Sequence, residues 1–79
     1  MTPPQHRALE RIIAAYDDGD PAVVADHNKG RHVHESTAQA LIRRSLVEPL
    51  IDRRRAVRLI PTDAGRELAA ASTPISETR

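Results

Sequence analysis

Apolar positions recur at helical spacing from the start of the chain. Leu9, Ile12, Ile13 and Tyr16 fall at i, i+3, i+4 and i+7 and form one narrow stripe. Arg7, Glu10, Arg11 and Asp18 lie on the opposite side. Thr2 suits the N-cap, Pro3 the first turn, and Gly19, behind Asp17-Asp18, a left-handed stop. The pattern predicts a helix from Pro3 to about Tyr16. Asp20-Pro21 repeats the cap-and-proline arrangement and predicts a short helix through about Asp26. Val23 and Val24 fit a short strand equally well, because a brief apolar run does not discriminate. Residues 27–32 read as a polar loop with Gly30 as its turn residue.

A second strong helical pattern covers Glu35 to Arg44. Ala38, Leu41 and Ile42 point one way, with Ser45 and Leu46 closing the stripe, while Ser36, Gln39, Ala40 and Arg43 point the other. The period then changes. Val47–Ile51 and Ala56–Ile60 read as two strands around the turn Asp52-Arg53-Arg54-Arg55. Pro49 cannot donate a ladder hydrogen bond, so its strand belongs at a sheet edge. Thr62 caps a last helix in which Ala64, Leu68 and Ala71 share a face. The expected organisation is a single domain over 1–71 and a flexible polar tail over 72–79.

Composition narrows what such a chain can bury. It has 79 residues, and Tyr16 is its sole aromatic, so the core must be aliphatic. With no cysteine, disulfides and thiolate metal sites are excluded. No apolar run approaches the ~20 residues that span a bilayer, and no signal-peptide pattern opens the chain, so a cytoplasmic location is expected. The net charge of +1 hides an uneven distribution: −3 over 1–26, +5 over 27–60 and −1 over 61–79. Positive charge gathered in the middle third is what a phosphate-facing surface needs, although a solvated charged face has the same composition.

Two segments carry a more specific signal. Val33 through Glu48 (VHESTAQALIRRSLVE) resembles the recognition-helix segment of winged-helix regulators, which commonly read VSxSTVxxLxRRGLVE. Arg58 through Leu68 (RLIPTDAGREL) resembles the wing exit of MarR-type regulators, often RLTPAGRxL. Ser45 stands where the first pattern has glycine, and Asn28 to His32 intervene where a preceding helix is usual. The resemblance implies a mainly α fold with a small β-hairpin: a winged helix-turn-helix of three to four helices and a two- or three-stranded wing sheet. It also implies double-stranded DNA binding by a small transcriptional regulator of bacterial or phage type. Its long dimerisation helices have no counterpart in this length, which leaves at most a weak homodimer or a partner protein.

In that arrangement the 35–44 helix enters the major groove and the 52–55 turn lies on the backbone or in the minor groove. Gln39 and Arg43 have the chemistry to read adenine and guanine edges, each worth ~1–3 kcal/mol of discrimination. The expected DNA-binding set is Arg31, His34, Ser36, Thr37, Gln39, Ala40, Arg43, Arg44, Arg53, Arg54, Arg55 and Arg58. Ser36 and Thr37 serve either a phosphate or the local helix cap. The arginine triplet equally suits a solubilising edge that blocks strand pairing. His27, His32 and His34 lack a zinc spacing, so no metal or other cofactor is expected. No glycine-rich phosphate loop or convincing carboxylate pair supports an enzyme. The competing function is a protein-interaction adaptor that uses the acidic first helix or the apolar Leu50 and Ile51.

Overall fold

Thr2 opens the chain's first helix in the way its position predicts. In the computed structural model, which describes residues 2–72, helix α1 spans Pro3–Asp17. The Thr2 hydroxyl accepts the Gln5 amide and the Gln5 side chain accepts the Thr2 amide, both at 3.3 Å, forming a capping box. Gly19, at φ 89°, turns the chain out of the helix. The buried face is Ala8, Leu9, Ile12 and Ala15, whereas Ile13 is half-buried and Tyr16 is 42% exposed. The expected stripe is therefore rotated toward the alanines. Small side chains let α1 approach the sheet closely, and no Cβ pattern of large residues reports that.

The main correction concerns residues 20–34. The short helix expected after Asp20 is a strand, β1, over Ala22–Ala25, and a second strand, β2, covers His32–His34. They pair in parallel, Val24 opposite Val33, across a connection of residues 26–31 only. Parallel neighbours usually need a crossover of about a dozen residues or more. Here the loop is fastened at many points. Arg11 of α1 donates to the Gly30 and His32 carbonyls at 2.8 and 2.9 Å. The Val23 amide reaches the Arg31 carbonyl at 2.9 Å, the His32 amide the Lys29 carbonyl at 2.8 Å, and the His34 amide the Asn28 side chain at 2.8 Å. A helix that short would have left most of its amides unpaired, whereas a strand between two neighbours pairs along both edges.

Helix α2, Glu35–Arg43, follows directly from β2. It ends in a Schellman motif: the Ser45 amide bonds to the Ile42 carbonyl at 2.9 Å and the Leu46 amide to the Leu41 carbonyl at 3.0 Å. Leu41 and Leu46, the apolar pair that accompanies this motif, are both buried. Strands β3, Val47–Ile51, and β4, Val57–Pro61, form the expected antiparallel hairpin. Helix α3, Asp63–Ser72, closes the described chain. The Thr62 hydroxyl accepts the Gly65 amide at 3.0 Å while donating to the Ser45 carbonyl at 2.7 Å. Gly65 lies so close to Leu46 that a Cβ there would stand 2.1 Å from the Leu46 carbonyl oxygen. The inward face of α3 is thus Gly65, Leu68 and Ala69, and the expected Ala64 and Ala71 are exposed. Ser72 still belongs to this helix, and the remainder of the expected tail lies outside the described residues.

The sheet order is β2-β1-β4-β3, with β1 antiparallel to β4, so β3 with its Pro49 occupies an edge as required. Three helices and a four-stranded mixed sheet among the described residues make this an α+β fold. The expected mainly α winged helix-turn-helix with a small hairpin is overturned by β1 and β2. They extend the hairpin into a sheet and take the place between α1 and α2 where the first helix of a helix-turn-helix would stand. Fully buried Leu9, Ile12, Val33, Leu41, Val47 and Leu59 form the aliphatic core between helices and sheet.

Candidate nucleic-acid interface

The outward side of α2 is polar, as its pattern requires. Ser36, Gln39, Arg43 and Arg44 are exposed, and Thr37 and Ala40 are half-buried beside them. His34 is the N-cap: its ring Nδ1 accepts the Ser36 amide at 3.1 Å and lies 2.9 Å from the Ser36 hydroxyl. The serine–imidazole contact has the atoms of a nucleophile and a base. The same nitrogen accepts a backbone amide two residues on, however, which is the geometry of a helix cap. The cap is thus His34, and the Ser36 hydroxyl lies against its ring.

At the hairpin end, Asp52 organises the turn. Its amide bonds to the Ala56 carbonyl and the Arg55 amide to the Asp52 carbonyl, both at 3.0 Å. The Asp52 carboxylate accepts the Arg54 amide at 2.8 Å and the Ala56 amide at 3.0 Å. Arg53, Arg54 and Arg55 are left as the loop, with Arg55 at φ 63°. Glycine is the usual occupant of that left-handed position in a three-residue hairpin loop. An L-residue with a long side chain is strained there by ~1–2 kcal/mol.

The expected cations divide into two groups. Arg58 donates to Asp52 at 3.0 Å, to Asp20 at 3.1 Å and to the Pro21 carbonyl at 2.7 Å. The Arg58 hydrogen bond, against some burial, holds the Asp52 carboxyl below its ordinary range, and the Ala56 and Arg54 amides reinforce it. Arg31 pairs with Asp18 and Asp20. These two arginines of the expected set fasten the start of β1 and the following loop to the rest of the fold. Outside that set, Arg66 pairs with Asp17 at 2.6 Å. By contrast, the side chains of Arg43, Arg44, Arg53, Arg54 and Arg55 make no hydrogen bond or ion pair among the described residues. Lys29, in the loop ahead of β2, is likewise exposed and unpaired, and only its place in that loop could have singled it out.

Gln39 and the base of the hairpin share one depression. Val24, Glu35, Ala38, Gln39, Ile42 and Val57 line a recess of about 160 Å³ between α2 and the sheet. Val57 pairs with Ile51, which is 68% exposed, and both lead directly into the arginine loop. The recess is thus bordered by α2 on one side and by the base of the arginine-tipped hairpin on the other.

Elsewhere, His27 and His32 are brought together by the 26–31 loop, and no group of three or more His, Asp or Glu side chains is arranged to hold a metal among the described residues. No helix among those residues is long and apolar enough to cross a membrane. Comparison with known protein families, with curated proteins and with solved structures finds no match to this chain.

Proposed function

We propose that this chain binds double-stranded DNA, with α2 in the major groove and the Arg53–Arg55 loop on the phosphate backbone or in the minor groove. One observation carries the proposal: five arginines on the end of α2 and the hairpin tip make no hydrogen bond or ion pair among the described residues, whereas Arg31, Arg58 and Arg66 are matched to aspartates. Unpaired guanidiniums at the end of α2 and at the hairpin tip are suited to phosphate contacts, and Gln39 on the outward side of α2 offers a bidentate amide for a base edge. Ala40 keeps the outward face of α2 low enough for close approach. Such binding suits a small transcriptional regulator working in the cytoplasm, without cofactor or catalysis.

Fluorescence anisotropy against a labelled duplex at increasing salt tests this directly. Phosphate contacts by all five arginines give a slope of log K on log salt near −4.5. No association at low salt overturns the proposal. Leu50 and Ile51, 55% and 68% exposed on the edge strand, favour the second reading, a protein-interaction adaptor. For an adaptor, serine at both positions abolishes partner capture and duplex binding is absent from the start.

A further inference from the structure

We propose that the 26–34 segment is a proton-sensitive latch: three imidazoles hold β2 and the first turn of α2 in place only while at most one of them is charged. The proposal does not rest on DNA binding.

Each link follows from the hydrogen-bond chemistry of imidazole. His34 Nδ1 accepts a backbone N–H, that of Ser36, so it must present a lone pair and its proton must sit on Nε2. A charged His34 has no acceptor, and the α2 cap is lost with it. His27 Nδ1 lies 2.9 Å from the Asp26 carboxylate, which only accepts, so that nitrogen carries a proton. His27 Nε2 then faces His32 Nδ1 at 2.7 Å. One proton must serve those two nitrogens. The pair therefore tolerates no charge or one, and a second proton between them replaces the hydrogen bond with repulsion across rings 4.7 Å apart.

Among the surroundings, Asp26 alone offsets the added charge, and only at His27. From α1, Arg11 donates to the Gly30 and His32 carbonyls and adds a fixed positive charge beside them. Arg31 is already neutralised by Asp18 and Asp20. Lys29 is unpaired, Glu35 opens α2 in the open, and the β1 partners Val23 and Ala25 carry no charge. Asp26 is the one acid in contact. The His27 hydrogen bond, reinforced by its own backbone amide, holds its carboxyl below the usual range, so it is ionised throughout and has no further charge to offer. Free imidazole takes up a proton near pH ~6.5. A proton on His34 Nδ1 is incompatible with the cap it accepts, so lowering the pH through that region favours opening.

Geometry makes the consequence specific. His32 and His34 alternate with buried Val33 in β2, and α2 begins at the next residue. Opening releases the β2 edge and the cap together, ahead of the core.

The test is NMR of the ¹⁵N-labelled chain from pH 7.5 to 5.5 in the presence of a chelator. Ring ¹⁵N shifts at pH 7.5 should report the Nε2–H form of His34. On acidification, the capped Ser36 amide shift should collapse as His34 protonates. Exchange protection of the His32 and His34 amides should fall about five- to tenfold relative to Leu59. In His34→Asn, whose side chain caps without titrating, the Ser36 amide should no longer respond to pH. Residue-level readout separates these imidazoles from His6 of α1, whose buried Nε2 has no hydrogen-bond partner among the described residues. An Nδ1–H form of His34, protection independent of pH, or an unchanged Ser36 response in His34→Asn each overturns the latch. The tautomer measurement on the unsubstituted chain decides the matter even if the variant does not fold.

Discussion

Ser45→Gly isolates a cost that the chain carries at the end of α2. Ser45 has a φ of 59°, is exposed, and uses only its backbone: the amide closes the Schellman motif and the carbonyl accepts the Thr62 hydroxyl. Its side chain makes no hydrogen bond there. An L-residue in the left-handed region is strained by ~1–2 kcal/mol, and glycine removes that strain. Glycine also adds freedom to the unfolded chain, which costs ~0.5–1 kcal/mol. The difference leaves a gain of about 0.5–1 kcal/mol. For a domain of this size, each kcal/mol moves Tm by about 4–8 °C, so the variant should melt about 2–8 °C higher. Circular dichroism at 222 nm measures this, and duplex affinity should be unchanged because Ser45 is not among the unpaired cations. A Tm equal to or below that of the unsubstituted protein would refute the strain argument at this position.

Three further outcomes follow from the same contacts. Replacing Arg53, Arg54 and Arg55 with Gln should reduce the salt slope of duplex binding by about 2.7, whereas Arg58→Gln should lower Tm and leave the slope intact, because Arg58 is bound to Asp52 and Asp20. Gly65→Ala should cost at least ~2–3 kcal/mol, seen as a fall in the urea midpoint, since its methyl would meet a backbone oxygen at 2.1 Å that cannot rotate away. Asp17, Asp26 and Asp52 have carboxyls held below the ordinary 3.8, by Arg66, His27 and Arg58 hydrogen bonds respectively. Depressed carboxyls stabilise the fold fully above the unfolded value and lose that contribution as pH falls through the folded one. Denaturant midpoints should therefore decline below about pH 4, and less steeply in Asp17→Asn than in the unsubstituted chain.

Long, strongly periodic segments were legible, and short ones were not. Helices α1 and α2 and the β3–β4 hairpin announce themselves through spacing, caps and the Pro49 edge signal. Residues 20–34 do not, because Asp20-Pro21 is a helix-start signal whose chemistry was used elsewhere: Asp20 holds Arg31 and Arg58, and the Pro21 carbonyl holds Arg58. The three residues His32-Val33-His34 show too little pattern to mark a strand, and a parallel partner so close in sequence runs against the usual connection length. Helix faces were misjudged for a related reason. Alanine and glycine mark close approach only once a neighbour is known, as Gly65 against Leu46 illustrates.

The site was readable as a concentration of charge but not as a set of available charges. Arg58 and Asp20 meet across 38 residues, and no local pattern distinguishes that arginine from the three at the hairpin tip. What separates them physically is whether the fold satisfies them. Arg55 sharpens the distinction, because it sits at a φ of 63° where glycine would relieve strain, with its guanidinium unpaired. Ser45 carries the same backbone strain without a charge to present, so strain alone says nothing about function. Strain together with an unsatisfied cation, in a loop whose geometry is fixed by Asp52, is different: the chain gains nothing within itself from an arginine at that position. The duplex contact proposed above would supply a compensating interaction from outside the molecule, since three adjacent guanidiniums fit an array of phosphates.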